Sequence, residues 1–203
     1  GYSNMVNALI RGEISLARPG PASYVLARQG NPTVYPLVKQ LHNGQPIIHG
    51  LIFTVAKSVL TDLLDLVGMS FAFGDPDSTF GNYASKAVLV ETGIYGTNFT
   101  NWTHLRSHED VANAVKQGQF HAGAGNSNEV WRVFGGKNLK ILRPLSSVSF
   151  PWVATTNLPS NVAAGIQQRL LALRDPLVLT NVDLDLTGQA VSVMVLIGVV
   201  VQA

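Results

Sequence analysis

Three observations predict an α/β protein with mainly parallel sheets. Short apolar runs of strand length alternate along the chain with amphipathic stretches of helical period. Gly, Pro and Asp punctuate nearly every change between them. Of the 203 residues, 46% are hydrophobic and 13% charged, a balance that supplies a packed core rather than a disordered chain. The length suits one large domain or two small ones.

Taken in order, the chain opens on an amphipathic helix over Met5 to Arg11 that stops at Gly12. Proline at the first helical position predicts further helices over Pro21 to Arg28 and Pro32 to Leu41. Pro46 to Val55 reads as extended, and Leu60 to Leu66 as a short helix. A strand from Ser70 to Gly74 then leads into a helix that starts at Ser78, runs to about Glu91 and stops at Gly93. An extended loop holding Phe99 and Trp102 follows. Ser107-His-Glu-Asp opens the next helix, Glu109 to Gln117, with a capping-box pattern. Phe120 to Ala124 reads as a strand, Ser127 to Phe134 as a helix, Lys140 to Leu142 and Val148 to Thr155 as strands, and Val162 to Arg174 as an amphipathic helix. The last segment, Ala190 to Ala203, is almost wholly apolar. It is shorter than the roughly 20 residues that a spanning helix needs, and its β-branched content favours a buried strand over a truncated anchor. Its opening residues read as an amphipathic helix rather than a secretory signal, so the chain is expected to begin mid-domain.

Composition also excludes function classes. A net charge of +2 with 14 scattered basic residues is no nucleic-acid footprint. The isoelectric point near 9.0 mildly favours an anionic ligand. Without cysteine there is no disulfide, thiolate metal site or thiol nucleophile, which is compatible with an extracytoplasmic setting.

The chemistry concentrates where strands lead into helices, since in parallel α/β sheets ligands sit at the carboxyl ends of strands. Three such junctions, Gly74 to Thr79, Leu105 to His108 and Gly123 to Asn128, carry short polar side chains. If they converge, Ser78, Thr79, His108, Asn126, Ser127 and Asn128 line one pocket with no lysine or arginine dedicated to an anion. The first N–H groups of a helix lack intrahelical partners and carry the positive end of its dipole, so hydroxyls beside them complete an oxyanion cradle. A plainer reading stands beside each residue. Ser78 can be a helix cap, His108 an exposed residue after a cap, Asn126 and Asn128 turn residues, and Tyr24 core, as Trp131, Phe134 and Trp152 are expected to be.

No catalytic residue is expected. His108, Glu109 and Asp110 are consecutive and point apart on a helix, Ser78 has no base at a fixed spacing, and Gly-x-Ser-x-Gly is absent. His104 and His108 stand four apart, but Ser107 begins the helix between them, so no metal pair and no cofactor are expected.

Five segments occur together in an order that resembles one family: Gly20-Pro-Ala-Ser-Tyr-Val-Leu-Ala27, Phe71-Ala-Phe-Gly-Asp-Pro-Asp-Ser-Thr-Phe-Gly81, Ser107 to Gly118, His121-Ala-Gly-Ala124 and Phe150-Pro-Trp-Val-Ala154. They look like the phosphate, phosphite and phosphonate substrate-binding proteins of ABC importers, and the likeness runs from about Gly1 to Leu177. The resemblance implies a type II periplasmic-binding fold, two α/β lobes joined by crossover strands around a ligand cleft. One lobe would hold residues 1–66 and 142–203, lacking a first strand and a pocket tyrosine at its start, and the other 67–141. It implies that Ser78 and Thr79 grip an anion, that His108 is a pocket histidine, and that Tyr24 is offered from the first lobe. Two departures matter. Phe80 replaces a further hydroxyl, and Asn128 and Phe150 stand where aminophosphonate binders carry acidic groups. A buried ammonium would lack a counter-charge, so the expected ligand is phosphate, phosphite or a simple alkylphosphonate.

The resemblance further implies a periplasmic or extracytoplasmic protein whose partners are a small phosphorus oxyanion and a membrane permease, without nucleic acid. The alternative is an input domain of a membrane sensor, a histidine kinase or chemoreceptor, built on the same fold.

Overall fold

The computed structural model describes residues 2–42 and 45–173, and the backbone of 185–187. The apolar segment Ala190 to Ala203 lies outside these residues. The chain divides into two compact units, one spanning His49–Ser146 and the other Tyr2–Ile48 with the chain from Ser147. It passes from one to the other inside two strands, β3 (Ile47–Val55) and β7 (Leu139–Val148). The sequence reading places residues 49–66 with the first lobe and ends the second at 141. The dividing points move because β3 pairs antiparallel with β6 (Ala122–Asn126), Gly50 opposite Asn126, which ties His49 onward to the second unit's sheet.

In the unit His49–Ser146 the strand order is β5-β4-β6-β3-β7, with β4 Ser70–Phe73 and β5 Asn101–His104. The parallel pairing expected of most strands is confined, among the described residues, to the three strands β5, β4 and β6. Their carboxyl ends therefore lie side by side. Helix α4 (His108–Lys116) covers this part of the sheet, and Val111, Ala112 and Val115 join Phe53, Ala72, Val130 and Phe134 in its core. β6 reads Ala-Gly-Ala-Gly-Asn, and a Cβ on Gly123 would stand 2.6 Å from Val111 Cγ1. The bare strand lets α4 settle close to the sheet.

The other unit begins with α1 (Tyr2–Ile10), β1 (Leu16–Ala17), α2 (Pro21–Gly30) and β2 (Tyr35–Leu41), and continues with β8 (Pro151–Ala154), α6 (Ser160–Ala172) and β9 (Asp185–Thr187). Its sheet, ordered β1-β8-β2-β9, pairs antiparallel throughout the described strands. The helix expected over Pro32 to Leu41 is a strand. Pro36 would sit in the interior of that helix, where it lacks a donor and crowds the preceding turn; in β2 it falls at a register irregularity against β8. The edge strand β5 was expected as loop, its pattern too short to show a period, and β7 runs further on both sides than Lys140 to Leu142. Phe134 is core as expected, whereas Trp131 is exposed on α5 (Ser127–Phe134).

Candidate functional site

Ser78 caps a helix of unusual start. Its backbone is extended, its Oγ accepts from Gly81 N–H at 3.0 Å, and its carbonyl accepts from Tyr83 N–H, five residues on. The opening turn, Thr79–Tyr83, is therefore π-helical before α3 (Ala84–Glu91) continues as ordinary helix. The turn before it is shaped by Asp75, whose carboxylate accepts from Asp77 N–H while its carbonyl accepts from Ser78 N–H. Asn82 Nδ2 donates to Pro76 O at 2.5 Å and fastens the loop from the other side.

Two glycines make this loop possible. Gly74 N–H donates to Gly81 O at 2.7 Å, and the two backbones approach so closely that a Cβ on Gly81 would stand 2.8 Å from Gly74 Cα. Any side chain there would force the loop open.

His108 is the first residue of α4, after the N-cap Ser107, whose hydroxyl accepts from Asp110 N–H at 3.0 Å. Contrary to the reading of an exposed residue behind a cap, only 6% of it is exposed. Its Nε2 lies 3.4 Å from Ser78 Oγ, itself 2% exposed. The Nδ1 side packs toward Gly74 and Gly125, where a Cβ would stand 3.5 and 3.3 Å from that atom, and Nδ1 has no hydrogen-bond partner. A buried N–H without an acceptor is rarer than a bare lone pair, so the proton is assigned to Nε2, which then faces Ser78 as a donor. Burial pushes the His108 pKa down from 6.5 to about 4, against a smaller pull upward from Asp75, so the ring is neutral at pH 7.

The three junctions do converge within this unit, at Gly74, His108 and Gly125. Their residues differ in what their side chains do. Thr79 is half-buried beside Ser78. Phe80 is buried with its ring against Gly50 of β3, where a Cβ would come within 2.4 Å of it. Asn126 Oδ1 accepts from the exposed Asn128's N–H at 3.0 Å, and Ser127 Oγ donates to His49 O at 3.1 Å. Tyr24 belongs to the other unit, 5% exposed in a core cluster with Val6, Leu9, Ala27, Val34 and Val153. Sequence reasoning missed Gly74, Gly81 and Gly125; the spacing of glycines around Ser78 was the available signal, but their close approach is a tertiary fact.

Among the described residues there is no group of three His, Asp or Glu side chains fit to hold a metal ion, and no helix long and apolar enough to cross a membrane.

A two-unit α/β fold linked through paired strands, with polar junctions at the carboxyl ends of a parallel sheet core, is the architecture of periplasmic binding proteins. The chain belongs to the family described as ABC transporter, phosphonate, periplasmic substrate-binding protein, whose model matches residues 1–188. Its fold is similar to that of a phosphonate-transporter binding protein from Pseudomonas aeruginosa, at 17% identity and a TM-score of 0.83 over 93% of this chain and 68% of that one. It is also similar to PhnD1 of Prochlorococcus marinus, solved with methylphosphonate (22% identity, TM-score 0.74, 85% of this chain and 69% of that one). A third likeness is to a periplasmic aliphatic sulphonate-binding protein of Escherichia coli (18%, 0.62, 90% and 58%). At these identities the structures speak for the fold, and the family match for a binding protein of a transport system rather than an enzyme.

Proposed function

We propose that the Ser78–His108 junction captures a phosphorus oxyanion without an amino group, a simple phosphonate, phosphite or phosphate, for delivery to the permease of an ABC importer outside the cytoplasm. The observation that carries this reading is the buried pair of Ser78 Oγ and His108 Nε2, 3.4 Å apart at the opening of a helix. In this mechanism the Ser78 and Thr79 hydroxyls and the neutral His108 Nε2–H donate to the oxyanion oxygens. Ser78 Oγ already accepts from Gly81, which leaves its own proton for the ligand. Hydrogen bonds to a charged acceptor are about twice as strong as neutral ones, and burial strengthens them further. Neutral donors also hold the anion without the grip of an ion pair, which suits a carrier that must release. Phe80 shapes the loop from the core, Asn126, Ser127 and Asn128 frame its neighbour, and Tyr24 serves its own unit's core.

The absence of an amino group from the ligand rests on the family resemblance, by which Asn128 stands where aminophosphonate binders carry an acidic group. Calorimetric titration with aminoethylphosphonate tests it. Asn128→Asp is expected to bind that compound much more tightly than the natural chain; equal binding by both removes this part of the reading.

A further inference from the structure

We propose that Lys86 and His104 are positioning residues for the oxyanion loop: Lys86 Nζ donates to His104 Nε2, and His104 Nδ1–H donates to the Gly74 carbonyl, fixing the peptide on which the Ser78 turn is built. This rests on the reading of that turn as the ligand site.

The two distances are 3.5 Å for Lys86 Nζ to His104 Nε2 and 2.8 Å for His104 Nδ1 to Gly74 O. A carbonyl only accepts, so Nδ1 carries the proton and the Nε2 lone pair faces the ammonium. An aromatic cluster packs against the arrangement, Phe73 and Trp102 lying 5.8 Å apart edge to face. The His104 ring lies 5.5 Å from Phe73 and 5.7 Å from Trp102, centroid to centroid, and Lys86 Nζ sits 5.1 and 5.5 Å from those same two rings. Aromatic faces at this range favour the ammonium and offset the burial that lowers its pKa.

Gly74 is thereby held at every backbone group. Its carbonyl takes His104, its N–H donates to Gly81 O, its Cα abuts Gly81, and Gly81 N–H in turn donates to Ser78 Oγ. The sequence offers no cation to the junction directly; this path ties one to it mechanically, through the imidazole and then the Gly74 and Gly81 backbones. An apolar pair at 86 and 104 would fill the same space between α3 and β5, so packing alone does not explain the donor and acceptor chain.

The test is calorimetric titration with methylphosphonate, phosphite and phosphate of the natural chain, His104→Leu, His104→Asn, Lys86→Met and Ser78→Ala, with unfolding midpoints for each. His104→Leu is expected to weaken binding roughly three- to tenfold, while His104→Asn, whose amide reaches the place of Nδ1, stays within about twofold of the natural chain. Lys86→Met should fall between them. In the ligand-free protein, the imidazole 15N spectrum should show His104 with its proton on Nδ1. Unchanged affinity in His104→Leu, failure of His104→Asn to restore it, or a proton on Nε2 overturns the inference. If Ser78→Ala loses affinity in the same series, the site reading survives that failure. If Ser78→Ala binds like the natural chain, or the natural chain binds none of the three anions, the site reading falls and takes the inference with it.

Discussion

The junction after β4 and the junction after β6 are built on one local plan. In each a short polar residue caps a helix, Ser78 accepting from Gly81 N–H and Asn126 from Asn128 N–H, both at 3.0 Å. They differ in their surroundings. Ser78 is buried and has a neutral histidine against it; Asn126 is half-buried and its neighbour Ser127 is tied back to the His49 carbonyl. Capping chemistry therefore marks where a helix begins, and the residues brought up from other elements decide whether that beginning serves as a ligand site.

The sharpest way to break the first junction is steric. Gly81→Ala places a methyl 2.8 Å from Gly74 Cα, which cannot swing aside as a side chain would. A loss of about 3 kcal/mol in urea-unfolding stability is expected, the upper end of ordinary overpacking, with ligand binding lost as well. Next comes the hydroxyl. Ser78→Ala should weaken oxyanion binding by about 1 to 3 kcal/mol, measured by titration, whereas Ser127→Ala should leave binding unchanged.

The third difference is electrostatic. The folded-state pKa of His108 is lowered below its unfolded value, so the unfolded chain binds the extra proton first. This group's contribution is complete above pH 6.5 and is lost as pH falls toward 4. Between pH 7 and pH 5 the loss should be about 2 kcal/mol in urea titrations, and His108→Asn should remove it. Burial raises the Glu129 pKa and slopes the other way, so the His108→Asn comparison isolates the histidine. The smallest effect belongs to the second junction. Asn126→Ala should cost about 1 kcal/mol of stability through the lost cap, with oxyanion affinity unchanged.

Much of the first junction was legible. Ser78 and Ser107 show as caps because short hydroxyl residues precede apolar helical periods, and the convergence of junctions followed from a parallel sheet core. The strand–helix order was legible wherever glycine or proline marked a boundary. It failed at Pro32 to Leu41, where proline at a helix start looked the same as proline before a strand, and at β5, too short to display a period. The burial of His108 was not legible, because it depends on the bare β6 strand letting α4 close on the sheet. Nor was the role of His104, read only as an unmatched metal ligand; its partner Lys86 lies on another element.

The most direct measurement is isothermal titration of the natural chain and of Ser78→Ala with methylphosphonate, phosphite, phosphate and methanesulfonate. The account predicts that one of the three phosphorus oxyanions binds the natural chain, that methanesulfonate binds more weakly, and that Ser78→Ala loses about tenfold or more in affinity. Heat from methanesulfonate alone, or a Ser78→Ala protein that binds as tightly as the natural one, would contradict it.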